Sequence, residues 1–212
     1  MNGKLILVRH TESTYNAKGL WCGITDVGLS AKGREDARKI GRLLGDLQFN
    51  QIYTSPLKRT GQTLHEMLKT YGYTPAEIRE TAAINERDYG DYAGVDKWEV
   101  QKEIGMEKWQ DIRRGWDAPI PNGETLKDTY ERTVPWYREI VVPQLLDGKN
   151  ILIVAHGNSN RALRKYLENI SDEDIKNVEM DLTTVHIYTI GDDGLAISDE
   201  VRQIETETTG LY

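Results

Sequence analysis

Two histidines in this chain end two aliphatic runs. Leu5-Ile6-Leu7-Val8 leads into Arg9-His10, and Ile151-Leu152-Ile153-Val154 leads into Ala155-His156. A neutral imidazole is a good nucleophile toward phosphorus near neutral pH, because its unperturbed pKa is about 6.5. The guanidinium of Arg9, beside His10, is suited to clamping phosphate oxygens through paired hydrogen bonds. Phosphoryl transfer asks chiefly for positioning and charge neutralisation, so the pairing points to that chemistry. A lone histidine after a strand is more often a hydrogen-bonded structural residue. Two in matching contexts, with basic or glycine neighbours, favour a functional pair.

Other residues extend this reading. The segment Thr11 to Asn16 supplies hydroxyl and amide groups, although Ser, Thr and Asn also favour a plain capped turn. Lys58-Arg59 follows a short strand, with Pro56 placed for the first turn of a helix. Taken alone, Arg59 reads as a surface residue. Gly157 lets the backbone approach a ligand closely, and the helix N-terminus beyond it favours an anion. His156 is placed to hydrogen-bond a transferring phosphoryl group, and removing one such donor typically costs ~2.7–4 kcal/mol of barrier. Arg113-Arg114 precede Gly115 and, on their own, fit basic residues at a helix C-terminus.

These residues need a frame. Short aliphatic runs bounded by polar residues read as buried strands at 5–8, 51–54, 150–155 and 184–190. In an open parallel α/β sheet the C-terminal strand ends share one rim, where ligands bind. Helices are expected from Ser30, an N-cap candidate, to about Leu47, then over 57–71, 96–104 and 106–114. Others run from about Asn122 to Leu146, with a kink at Pro135, and over 159–168. Residues 72–122, with Pro75, Pro119 and Pro121, read as a cap-like excursion within one catalytic domain spanning 1–212. Gly191-Asp192-Asp193-Gly194 is a turn signal, and the acidic stretch 192–207 reads as a solvated tail. The expected architecture is a three-layer α/β/α sandwich around a mostly parallel central sheet.

Bulk properties narrow the function. The chain has 212 residues, of which 38% are hydrophobic, and carries a net charge of −7. An acidic chain is a poor candidate for nucleic-acid binding, yet a local arginine cluster can still set the field in a cleft. No apolar run approaches the ~20 residues of a membrane span, and no signal-type segment opens the chain. A cytoplasmic location without membrane contact is expected. The one cysteine, Cys22, excludes an internal disulfide and any multi-cysteine metal site.

The segment Leu7-Val8-Arg9-His10-Thr11-Glu12-Ser13 resembles the arginine-histidine-glycine-glutamate signature of the histidine phosphatase superfamily. Within it, the chain is most similar to the bisphosphoglycerate-dependent phosphoglycerate mutases. Asn85-Glu86-Arg87-Asp88-Tyr89-Gly90 resembles their asparagine-glutamate-arginine-x-tyrosine-glycine motif, and Asp111-Ile112-Arg113-Arg114-Gly115-Trp116-Asp117 their paired-arginine segment. Gly123-Glu124-Thr125-Leu126-Lys127-Asp128 and Ala155-His156-Gly157-Asn158-Ser159 match in order and spacing. The resemblance covers about residues 4–190.

The resemblance implies the roles that follow. His10 is the phosphorylated nucleophile. Arg9, Arg59 and His156 hold the phosphoryl group, and Glu86 is the general acid/base. Tyr89, Lys97, Arg113 and Arg114 bind the carboxylate and second phosphate of the substrate. Ser13, Asn16, Cys22, Gly23, Gly157 and Asn158 line the pocket. The implied activity is interconversion of 3- and 2-phosphoglycerate in glycolysis and gluconeogenesis. It is primed by 2,3-bisphosphoglycerate, uses no metal, and acts on a small phosphorylated metabolite. A homodimer or higher oligomer is implied, although no interface stripe is legible.

Some residues depart from that pattern. Thr11 replaces a glycine, with a stiffer and bulkier side chain near the expected phosphate site. Cys22 replaces a threonine hydroxyl with a weaker donor. Thr183-Thr184-Val185-His186 replaces a segment containing glycine and proline, and the tail after Ile190 is short. A less closed site admits water to a phosphohistidine and favours hydrolysis. Two alternatives therefore stand beside the mutase: a histidine phosphatase acting on another small phosphorylated metabolite, and a catalytically weak phosphoanion-binding protein.

Overall fold

The computed structural model describes residues 2–72 and 77–205. Pro75 and positions 206–207 of the acidic stretch lie outside them. Strands β1 (Lys4–Arg9), β2 (Gln51–Thr54), β3 (Ile78–Glu80), β4 (Ile151–Ala155), β5 (Thr184–Ile190) and β6 (Ala196–Gln203) form one sheet. Their order is β3-β2-β4-β1-β5-β6. The first three pairings are parallel; β1-β5 and β5-β6 are antiparallel. The sheet is thus mixed.

The two aliphatic runs become β1 and β4, paired in register from Leu5 with Ile151 to Arg9 with Ala155. Both are covered on both faces, which explains a continuous rather than alternating apolar pattern. Ile6, Val8, Ile52, Leu152 and Val154 pack against Ala37 and Ile40 of α1 (Ala31–Leu43), and against Leu64 and Met67 of α2 (Lys58–Tyr71). On the opposite face Leu5, Leu7, Ile151 and Ile153 meet Tyr137, Val141, Leu145 and Leu163. The pleat thus sends alternate residues of each strand into two separate cores.

Ser30 caps α1, accepting from Gly33 N at 2.9 Å. The excursion holds α3 (Lys97–Ile104) and α4 (Met106–Arg114), which pack around Trp21, Val100, Trp109, Ile112 and Ile120. Thr125 and Asp128 form a reciprocal cap on α5 (Leu126–Trp136). Pro135 does not end this helix. The chain continues through a π-helical turn, Tyr137–Val141, into α6 (Val142–Leu146). The widened turn makes room for the Pro143 ring, which would otherwise meet the carbonyl one turn back. The next helix, α7 (Gly157–Leu167), begins two residues earlier than expected, so His156 is its N-cap residue.

Two edges differ from the sequence reading. The stretch expected as a solvated tail contains β6, which pairs with β5 from Thr184–Gln203 to Ile190–Ala196. β3 is a three-residue exposed edge strand with no apolar pattern to announce it.

Candidate active site

Parallel pairing brings the C-terminal ends of β2, β4 and β1 together, and with them Ser55, His156 and His10. The ring centroids of His10 and His156 lie 5.1 Å apart. His10, Glu86 and His156 each bring a ligating atom within 4.8 Å of the other two. The two imidazoles are therefore neighbours, with His10 on the cavity and His156 directly behind it.

His10 is 2% exposed, and its Nδ1 lies 2.8 Å from the carbonyl oxygen of Thr11. A carbonyl only accepts, so Nδ1 carries the proton and Nε2 keeps its lone pair. Burial first, then the charges of Arg59 and Arg9, hold His10 well below 6.5. His156 is lowered in the same way, by burial, Arg59 and His10. Both rings are neutral near pH 7, the state a nucleophile at phosphorus requires.

Glu86 sits on the N-terminus of α7. Its Oε2 accepts from Gly157 N at 3.1 Å; its Oε1 accepts from Asn158 N and Asn158 Nδ2 at 3.0 Å, and from Arg87 N at 2.9 Å. The anion expected at this helix start is thus a side chain of the protein itself. Burial pushes the Glu86 carboxyl up, but Arg59, Arg9 and the backbone donors outweigh it, and its pKa falls below 4.5. Gly157 lies close to both groups: a Cβ would sit in van der Waals contact, 3.4 Å from the Arg9 guanidinium and 3.5 Å from Glu86 Oε2.

A cavity of about 550 Å³ opens beside these groups. Of the residues singled out from the sequence, Arg9, His10, Asn16, Cys22, Gly23, Glu86, Tyr89, Lys97, Arg113, Arg114, Gly157 and Asn158 line it. Ser13, Arg59 and His156 are fully buried behind its wall. Ser13 orients Asn16 by donating from Oγ to Asn16 Oδ1 at 2.8 Å. Arg59 donates to the carbonyls of Gly23 (2.7 Å) and Thr25 (2.9 Å), holding the loop that carries Cys22. His156 Nε2 lies 2.7 Å from Ser55 Oγ. Gly23 has φ of +53°, and a Cβ there would meet Tyr89 N at 2.9 Å.

The bulk of Thr11 is resolved by its direction. Its side chain is fully buried against Thr63 on α2, with Oγ1 atoms 3.4 Å apart, and it does not line the cavity. The sequence reading did not single out Arg161, Glu179, Met180, Asp181 and Leu182 as site residues, nor Thr183, and all of them also line the cavity. It also missed Arg132, which donates to the carbonyls of Ala83 (2.9 Å), Asn85 and Glu86 (both 3.0 Å) and so fixes the turn presenting Glu86.

The arrangement suits an anion. Arg9 Nε and His156 Nδ1 are buried without a protein partner. Lys97, Arg113 and Arg114 add cationic groups on the same cavity. Burial first, then Arg9 and Arg113, lower Lys97 to about 8. These features fit a ligand with two anionic ends, as 2,3-bisphosphoglycerate has. His10, Glu86 and His156 are also the one group, among the described residues, with metal-ligating reach. The neighbouring Arg9 and Arg59 charges oppose a cation there.

The sequence profile of the histidine phosphatase superfamily (branch 1) matches residues 5–201. The 2,3-bisphosphoglycerate-dependent phosphoglycerate mutase 1 of Lactobacillus johnsonii is 38% identical, covering 89% of this chain and 94% of the relative. The 2,3-bisphosphoglycerate-dependent phosphoglycerate mutase of a Chelativorans species is 40% identical over 95% of this chain and 98% of its own. A mycobacterial glucosyl-3-phosphoglycerate phosphatase shares the fold with a TM-score of 0.78 at 22% identity, covering 96% of this chain and 98% of its own. No helix among the described residues is long and apolar enough to cross a membrane. With its paired imidazoles on one rim and a profile match over nearly its whole length, the chain belongs to the histidine phosphatase superfamily.

Proposed function

We propose that this chain is a phosphoglycerate mutase that interconverts 3- and 2-phosphoglycerate through phosphorylated His10. The observation carrying the reading is one cavity lined by His10 and Glu86 together with Lys97, Arg113 and Arg114. A substrate with two anionic groups can then present either oxygen to the same imidazole. Relatives at 38–40% identity that are named as such mutases support it. When bound, 2,3-bisphosphoglycerate supplies the phosphoryl group that loads His10.

The chemistry of the residues fits that cycle. From the phosphorylated state, the substrate hydroxyl attacks phosphorus, the P–N bond to His10 Nε2 breaks, and Glu86 accepts the hydroxyl proton. On return, Nε2 attacks the other phosphoryl group, the P–O bond breaks, and Glu86 gives the same proton to the departing oxygen. A cycle that starts from phosphohistidine needs Glu86 as carboxylate, which its lowered pKa provides. The Arg9 guanidinium neutralises charge that builds on the phosphoryl oxygens, and the neutral His156 ring contributes hydrogen bonding from its unpartnered Nδ1.

A second reading, hydrolysis of a larger phosphomonoester, is favoured by one observation: the cavity of about 550 Å³ exceeds the needs of a three-carbon acid. The test supplies 3-phosphoglycerate with and without 2,3-bisphosphoglycerate and measures both 2-phosphoglycerate and free phosphate. Isomer formation stimulated by the bisphosphate supports the mutase. Phosphate release without isomer supports the phosphatase and overturns the first reading.

A further inference from the structure

Three consecutive carbonyls, leading onto the cavity wall at Glu179 and Met180, are held by three different arginines. Arg161 Nε donates to Val178 O at 2.9 Å, Arg164 Nη1 to Glu179 O at 2.7 Å, and Arg9 Nη1 to Met180 O at 2.7 Å. The main chain at residue 179 is thus pinned from both sides. From this platform the Glu179 carboxylate reaches Arg114 and pairs with its Nη2. An exposed ion pair is ordinarily worth little, because two free side chains must be ordered. Here much of that ordering is already done: the Glu179 backbone is anchored, and the Arg114 side chain is only 21% exposed. Asp181 lines the same wall. Lys97, Arg113 and Arg114 therefore share the cavity with Glu179 and Asp181 as well as Glu86. The charge of Glu179 also reaches Arg9 and Arg113, where it opposes the lowering caused by burial.

We propose that Glu179 is a specificity-determining residue, whose carboxylate occupies Arg114 and weakens the distal subsite for a doubly charged phosphate tail. A dianionic tail must displace Glu179 or bind beside it, and at such close range like charges repel even with the Glu179 side chain half exposed. A phosphomonoester with a neutral hydroxylated tail escapes that penalty and gains an acceptor. Glu179 thereby shifts the balance from transfer between phosphoglycerates toward hydrolysis of phosphomonoesters with less charged tails. This inference rests on Arg113 and Arg114 being the distal-anion subsite of the proposed mutase.

The test compares Glu179→Gln and Glu179→Asp in a chain that also carries His10→Ala, which cannot accept a phosphoryl group. Calorimetry measures binding of 2,3-bisphosphoglycerate and of glycerol 3-phosphate. Glu179→Gln should bind the bisphosphate about tenfold more tightly, by removing one close like charge. Glu179→Asp, which keeps the charge, should not reproduce the gain, and glycerol 3-phosphate should not share it. No tightening, or equal tightening of both ligands, overturns the proposal. With His10 intact, Glu179→Gln should raise the ratio of 2-phosphoglycerate formed to phosphate released. If neither chain makes 2-phosphoglycerate, the mutase reading falls, while the binding comparison still decides the role of Glu179.

Discussion

His10 donates from Nδ1 to the carbonyl oxygen of its own neighbour Thr11, 2.8 Å away. One short main-chain contact thereby selects the tautomer, leaves the Nε2 lone pair free toward the cavity, and holds the ring against rotation. The residue that departs from the family signature supplies this acceptor through its backbone, which any residue at position 11 could provide. Its side chain turns away, onto Thr63.

Replacing Thr11 by glycine should therefore not raise kcat. It removes the packing against Thr63 and adds backbone freedom, so stability should fall by about 1 kcal/mol. Thermal unfolding beside steady-state kinetics checks this. A rise in kcat with unchanged stability would mean that the threonine methyl does crowd the phosphoryl site.

The pH profile should be set by Lys97 on the alkaline side. His10 and His156 are both held well below 6.5, so neither gains a proton as pH falls from 7.5 to 6.5. Lys97, lowered to about 8, loses its charge as pH rises through that value. KM for 3-phosphoglycerate should then rise above about pH 8, with kcat less affected, and Lys97→Met should abolish that limb. An alkaline limb that survives the substitution would assign it elsewhere.

Glu86→Gln should lower kcat by ~10²–10⁴, the usual range for a lost general acid/base. The distal cations are untouched, so KM should change far less. A loss of less than tenfold would remove Glu86 from proton transfer and leave it as a cap on α7.

Arg132 acts through Glu86 without touching the cavity. It satisfies three carbonyls and pairs with Glu124 at 3.0 Å. Arg132→Lys should lower kcat about tenfold or more with little change in KM, since a single ammonium cannot replace the planar fork. A rise in KM at constant kcat would instead make Arg132 a determinant of binding.

How much of this was legible depended on where each signal lies. Strands β1 and β4 were readable because burial on both faces demands an unbroken aliphatic run. His10, Glu86 and Asn158 were readable because each lies in a compact motif that also sets its own backbone geometry. β6 was hidden by Asp199, Glu200 and Arg202, charges that suit an edge strand and look like a solvated tail. Arg161, Arg164 and Glu179 were hidden for another reason. The contacts that place them at the cavity run to main-chain carbonyls or a side chain many positions away, and no local pattern encodes such a pairing. Arg59 and His156 were legible through the resemblance, as groups that hold the phosphoryl group. The structure has them behind the wall, shaping the charge state of His10 and the loop around Gly23.

The central claim is that His10 Nε2 carries the phosphoryl group. The direct measurement is to incubate the enzyme with labelled 2,3-bisphosphoglycerate, quench under alkaline conditions, and map the label by mass spectrometry and phosphohistidine chemistry. The account predicts an acid-labile phosphohistidine on Nε2 of His10, absent from His10→Ala, which should also lack turnover. Label on another residue, or substantial turnover by His10→Ala, would contradict it.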